Sequence, residues 1–295
     1  MRNTFIENLV SNAYRDDSIV LIVGDLGFNV VEDFQKNFPT RFFNAGICEQ
    51  SMASMAAGRA SEGYKVFIYS IANFPTFRCA EQIRNDICYH NLDVSIVTVG
   101  GGLAYGNLGY SHHAIQDYGL MRLFPEMTII SPGDPNEVEK VFDFIQNDKF
   151  PKYIRLRKNG EPNFSSNELN KPGIWNNITG GTKKNIFLST GYGLKIAFDI
   201  MAAENLFNDF DVYSCPIWGS KFSNLQQSQL EKFNEIITIE DHLKSGGFGS
   251  WIKENFNELE NKTKIKSFYI KDSIIGKVGD ENFLLKNIHR GIYSK

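Results

Sequence analysis

The chain has 295 residues, about two domains' worth at the usual ~150 residues each, with 42% apolar and 22% charged residues, which excludes a disordered chain. Lys and Arg total 31 against 34 Asp and Glu, a formal net charge of -3, and no basic block marks a nucleic-acid or anionic-membrane binder. Apolar runs such as Ile19–Val23 are strand-sized, far short of the ~20 residues of a membrane span. No charged-then-apolar leader opens the sequence, and the 4 cysteines lack CxxC spacing. The expectation is a soluble, cytoplasmic, two-domain protein that binds neither nucleic acid nor membrane.

From residue 18 to 157, short apolar runs alternate with helix-length amphipathic stretches. SIVLIVG (18–24), KVFIYSI (65–71), VSIVTVG (94–100), MTIISP (127–132) and KYIRLR (152–157) read as strands, mostly apolar on both faces as in a buried parallel sheet. Helices are predicted near Glu49–Ser61, Pro75–His90, Ile115–Phe124 and Pro135–Gln146. This alternation specifies a doubly wound α/β fold. Between Lys158 and Lys184 the periodicity gives way to Gly, Pro, Asn, Ser and Lys, a linker texture. The pattern then resumes with NIFLSTG (185–191), a helix around Leu194–Asn205, DVYSCPI (211–217), EIITIED (235–241), a helix after Gly249, and KSFYI (266–270). The boundaries drawn are a first α/β domain over 1–160, a linker over 161–184 and a smaller α/β domain over 185–295.

Three stretches hold candidate chemistry. The glycine turns GDLG (24–27), GGLAYG (101–106), TGYG (190–193) and SGGFG (245–249) follow strands, but none fits GxGxxG or the Walker pattern, and tight turns need glycine for backbone reasons alone. In NAGICEQSMASMAAG (44–58), Met52, Met55 and Ala56 recur at helical spacing and form an apolar face, with Glu49 close to it. Glu49 is either a functional carboxylate or an ordinary first-turn residue favoured by the helix dipole. The small residues Ala53, Ser54, Ala56, Ala57 and Gly58 predict close packing against the sheet or a partner chain. In GNLGYSHHAIQD (106–117), adjacent His112 and His113 lie where binding sites form in doubly wound sheets. Pointing to different sides, they do not make a metal pair; His112 suits proton transfer, and a solvated or capping histidine is the plain alternative.

These segments together resemble the transketolase family, in order and with the expected spacing. RFFNAGICEQSMASMAAGRASEGYKVFIYSIANF, EQIRNDICYHNLDVSIVTVGGG and GNLGYSHHAIQDYGLMRLFPEMTIISPGDPNEVE are similar to its pyrimidine-binding domain; STGYGLKIAFDIMAAEN and EIITIEDHLKSGGFGSWI are similar to its C-terminal domain. The resemblance implies an enzyme that transfers a two-carbon ketol unit from a ketose to an aldehyde, using thiamine diphosphate and Mg²⁺. In this family the cofactor's diphosphate and metal dock on a separate domain with a GDG motif, which this chain lacks; GDLG has Leu26 at the second glycine. The chain therefore resembles the C-terminal subunit of a split transketolase, working with an N-terminal diphosphate-binding partner in a heterotetramer and itself holding no metal.

By resemblance, Glu49 meets N1′ of the cofactor's aminopyrimidine, Phe74 stacks on that ring with Ile71 in place of the family segment's first aromatic, and His112 serves the substrate. Arg2, Asn107 and either Arg157 or Lys158 correspond to substrate contacts. Two family residues are replaced: Gly100 stands for a phosphate-contacting histidine and Leu108 for a hydroxyl-reading aspartate. This leads us to expect a sugar outside the common pentose phosphates, whether deoxy, unphosphorylated or nucleotide-linked, with Gly100 leaving room for bulk. Rival readings are a deoxyxylulose-phosphate-synthase-like enzyme, a 2-oxoacid dehydrogenase E1 β-type subunit and, in another class, a non-catalytic assembly subunit.

Overall fold

A computed structural model describes residues 1–158, 160–165, 170–255 and 262–288. Among the described residues, twelve strands form two sheets: β1 (Ile19–Val23), β2 (Phe42–Asn44), β3 (Lys65–Ile71), β4 (Val94–Val99), β5 (Thr128–Ile130), β6 (Lys152–Leu156), β7 (Asn176–Asn177), β8 (Asn185–Ser189), β9 (Asp211–Ser214), β10 (Ile217–Trp218), β11 (Glu235–Leu243) and β12 (Lys264–Ile270). The first sheet runs β10-β5-β6-β4-β3-β1-β2 and the second β12-β11-β8-β9-β7. All pairings are parallel except β10 with β5 and β7 with β9. β1, β4 and β6 are buried along their whole length, which explains the unbroken apolar sequence of β1 and requires partners for the buried Lys152 and Arg155 of β6.

Three local departures matter. The run 211–217 is not one strand: it breaks at Cys215–Pro216, leaving β9 in the second sheet while β10 crosses to the edge of the first. Proline has no N–H to continue a ladder, so the turn falls there. The linker texture also conceals order, since Trp175 is buried, donates its Nε1–H to Gln226 at 2.9 Å and leads directly into β7. The predicted helix 75–90 is instead Asn73–Arg78, a short turn at Ala80–Gln82 and a π-helical stretch Ile83–Cys88.

The two sheets are clasped by buried charge. Arg155 on β6 lies 2.7 Å from Asp117 and 2.6 Å from Asp241 on β11, and its Nη2 donates to the Ala114 carbonyl at 2.7 Å. Its guanidinium carbon sits 4.4 Å from the Tyr118 ring centroid. Such a cation is tolerable inside a protein because each N–H finds an acceptor. Gly246, at φ 75°, lies against the Gly119 backbone, which leaves no space for a side chain between the sheets.

Candidate active site

The site forms at the carboxyl ends of the parallel strands, where doubly wound sheets open a crevice. The helix Glu49–Ser61 follows β2 and buries Met52, Ala53, Ala56 and Ala57 against the sheet. Met55, predicted on that apolar face, is instead 42% exposed, and Ser54 and Gly58 are exposed beside it. Glu49 opens the helix yet is only 5% exposed. It lines a cleft of about 450 Å³ with Ile47, Cys48, Gln50, Ser51 and Arg78.

After β3 the chain turns at half-buried Ile71 into the short helix Asn73–Arg78, which places Phe74 and Arg78 one turn apart. Arg78 lays its guanidinium 4.1 Å over the Phe74 ring and reaches Glu49 Oε1 at 2.5 Å. Oε2 has no hydrogen-bond partner among the described residues. Asn73 donates its amide to the carbonyls of Ser111 and His113, both at 3.0 Å, and so staples the histidine loop to this helix. His112 thereby packs edge-on against Phe74, ring centroids 5.3 Å apart, with Ser111 Oγ 3.0 Å from its Nδ1. Burial, assisted by the neighbouring His113 and Arg78, lowers the His112 pKa below its ordinary 6.5, so the ring is neutral at pH 7.

His113 points elsewhere, as expected of adjacent residues: it is buried, with Nε2 3.3 Å from the Gly106 carbonyl, where it braces the loop. Asn107 and Leu108 lie exposed on the turn Gly106–Leu108. Arg2 is half-buried at the start of the first helix, its Nε 3.3 Å from Asn3. Between the two basic candidates the structure separates their environments. Arg157 is buried, donates to the Gly101 carbonyl at 2.9 Å, pairs with Glu281 and stands 3.7 Å over Tyr192. Its two terminal nitrogens are thus held within the chain, while its Nε has no hydrogen-bond partner among the described residues, and Arg157 remains a candidate substrate cation. Lys158 is only partly buried, with Nζ 4.1 Å from the Tyr105 ring centroid.

A correction concerns Gly100. A Cβ built there would lie 2.1 Å from Tyr105 Cε2, so the Tyr105 ring already fills the room expected beside that glycine. Sequence reasoning missed Tyr105 and Arg78 as site residues. The helix-opening turn SGGFG is likewise filled from within: Glu240 accepts the N–H of Phe248 at 2.6 Å and of Gly249 at 2.9 Å. Among the described residues no group of three or more His, Cys, Asp and Glu is arranged to hold a metal, and no helix is long and apolar enough to cross a membrane.

A buried glutamate, an aromatic ring joined to it through Arg78 and a neutral histidine on that ring are an arrangement that could receive a flat, nitrogen-bearing ring. Residues 1–161 match the model of the transketolase pyrimidine-binding domain. The chain belongs to the transketolase family, which is thiamine-diphosphate-dependent. It is 30% identical to an apulose-4-phosphate transketolase subunit of Phocaeicola vulgatus over 298 residues, covering 98% of this chain and 90% of that one. It is also 30% identical over 282 residues to the 1-deoxy-D-xylulose-5-phosphate synthase of Clostridium perfringens strain SM101, covering 92% of this chain but only 44% of the synthase. A solved structure described as a split gene transketolase, inactive beta4 tetramer, superposes with a TM-score of 0.80 at 29% identity, covering 97% of this chain and 92% of that one.

Proposed function

We propose that this chain is the C-terminal, pyrimidine-binding subunit of a two-subunit transketolase-like enzyme of the cytoplasm. It transfers a two-carbon ketol unit from a ketose to an aldehyde and takes a sugar outside the common pentose phosphates. Residues 1–160 serve as the pyrimidine-binding domain and 185–295 as the C-terminal domain, joined through 161–184. A separate diphosphate-binding subunit holds Mg²⁺ and the other end of the cofactor, in a heterotetramer. The observation that carries the reading is Glu49 itself: a carboxylate 5% exposed, with Oε1 taken by Arg78 and Oε2 left over.

Thiamine diphosphate, when bound, supplies the electron sink for breaking a ketose C2–C3 bond. Glu49 would hold a proton at pyrimidine N1′ through Oε2, the oxygen left over when Oε1 is fixed by Arg78. Phe74 offers an aromatic surface to the ring, and Ile71 closes the floor beside it. His112, neutral at pH 7, accepts or returns a proton at a substrate hydroxyl. Lys158 and Arg2 supply positive charge toward the far end of the sugar.

The likeness to deoxyxylulose-phosphate synthases favours one other reading, in which the donor is pyruvate. The test is turnover by this chain assembled with a diphosphate-binding partner, offered a ketose or pyruvate as donor. Ketol transfer from the ketose supports the proposal. Product formed from pyruvate alone would move the chain to the second reading.

A further inference from the structure

Resting on that reading, the last described segment of the chain bears on His112 through the loop that carries it. The loop's neck is closed by Gly102 and Ala114, each of whose N–H groups donates to the other's carbonyl at 2.9 Å. Inside it, the Gly106 carbonyl accepts the Gly109 N–H at 3.1 Å and lies 3.3 Å from His113 Nε2. The same carbonyl takes the N–H of Gly279, also at 3.3 Å. A Cβ at Gly106 would lie 2.5 Å from the Gly279 carbonyl oxygen and 2.6 Å from Leu284 Cδ1, so loop and segment meet with no room for a side chain. Just beyond, Asp280 Oδ1 accepts the Phe283 N–H at 2.9 Å and starts the helix Glu281–Ile288. Glu281 and Leu284, three residues apart, share one face of it. Leu284 is fully buried in a cluster with Leu103 and Ile115, which flank the loop. Glu281 pairs with Arg157, and Arg157 donates to the Gly101 carbonyl at 2.9 Å, where the loop begins.

We propose that Glu281 is a positioning residue for His112: together with Gly279 and Leu284 it makes the segment 279–285 a strap that fixes the histidine loop. Glycines at 101, 102, 106 and 109 give the loop backbone little stiffness of its own, so its order comes from contacts outside it. Asn73 staples the outer half, at Ser111 and His113. The strap holds the inner half, from Gly101 to Gly106. The Glu281–Arg157 pair is largely buried, with 20% and 8% of the two side chains exposed, so salt and solvent screen it little. Glu281 touches neither face of Phe74 nor His112; it acts through the loop, by keeping the His112 ring where a proton can pass to substrate.

The test compares wild type, Glu281→Ala, Glu281→Gln and Gly106→Ala. Gly106 is not among the glycines of positive φ, so the added methyl strains no backbone and meets Gly279 and Leu284 first. Ketol-transfer kinetics are measured on the chain assembled with its diphosphate-binding partner, and the pH titration of the His112 ring is followed by NMR in the full chain alone. Glu281→Ala and Gly106→Ala should each lower kcat by ~10-fold, with KM for the ketose within ~3-fold of wild type. Glu281→Gln, which keeps an acceptor for Arg157 without the charge, should recover part of the loss. Burial is the main cause of the lowered His112 pKa, with His113 and Arg78 facing the ring, so a loosened loop should let the titration rise toward the ordinary 6.5. A helix with only a structural role would lower Tm and leave that titration alone. Should Glu281→Ala not fold, Gly106→Ala carries the same comparison. A kcat within ~2-fold of wild type, a loss carried by KM alone, or an unchanged His112 titration overturns the proposal. If the wild-type complex transfers no ketol unit, the functional reading fails, and the titration alone decides the strap: a rise in the variants upholds it, and no rise overturns it.

Discussion

Arg78 grips Glu49 by one oxygen, Nη1 2.5 Å from Oε1, while its guanidinium lies 4.1 Å over Phe74. One arginine thus orients both the carboxylate and the ring assigned to the cofactor. Arg78→Ala leaves a buried carboxylate without its counter-ion and free to rotate, and turnover of the assembled enzyme should fall by ~10–100-fold. Arg78→Lys, which keeps the charge but not the planar fork, should recover part of it. Equal losses in both variants would indicate that charge at position 78 does not position Glu49.

The chain alone should bind thiamine diphosphate weakly, because one carboxylate and one aromatic ring are few contacts for so charged a ligand. Purified alone it should show no ketol transfer at any Mg²⁺ concentration, and adding the diphosphate-binding partner should restore it. Turnover by the isolated chain would contradict the split-enzyme account.

The neutral His112 gives the pH dependence its sign. Its pKa lies below 6.5, so the proton-accepting form dominates at pH 7 and is lost on acidification. The acidic limb of kcat/KM should therefore have an apparent pKa below 6.5. His112→Asn should lower kcat/KM ~100-fold or more and remove that limb. A limb that survives the substitution belongs to another group.

Much of this architecture was legible because it is local. The helix Glu49–Ser61 has the predicted ends, and the apolar runs mark β1, β3, β4 and β6. Periodicity locates an apolar stripe but not its edge, which is why Met55 emerged into solvent. The apolar run 211–217 hid a sheet change that only the partner strands determine. Arg78 and Tyr105 left no local signature. The first meets Glu49 across 29 residues of sequence, and the second folds back onto a glycine five positions earlier. Arg157 and Lys158 were equivalent on paper and are distinguished by Glu281, which lies 124 residues beyond Arg157.

The inter-sheet clasp predicts a stability effect. Arg155→Ala would leave Asp117 without its counter-ion and Asp241 with only Arg157 at 3.8 Å, both carboxylates being about 1% exposed or less. The cost should be ~3–5 kcal/mol, read from denaturant unfolding. A loss below ~1 kcal/mol would mean that the clasp contributes little to holding the sheets together.

Glu240 adds a pH signature to stability. Burial pushes its pKa up to about 8 from 4.5, although the N–H groups of Gly249 and Phe248 oppose this. For a raised folded-state pKa, the associated stability is fully present below about 4.5 and is lost progressively as pH rises toward 8. Glu240→Gln should flatten that decline in Tm between pH 5 and 8.5. An equally steep decline in the variant would assign it to other groups.

The most direct test is hydrogen–deuterium exchange at the thiazolium C2 of thiamine diphosphate bound to the assembled enzyme, comparing wild type with Glu49→Gln. The substitution keeps size and burial but removes the carboxylate that holds the N1′ proton. Exchange should slow by ~100-fold or more while the two chains still assemble and bind cofactor. An unchanged exchange rate in an intact Glu49→Gln complex would contradict the central claim that this chain supplies the activating carboxylate.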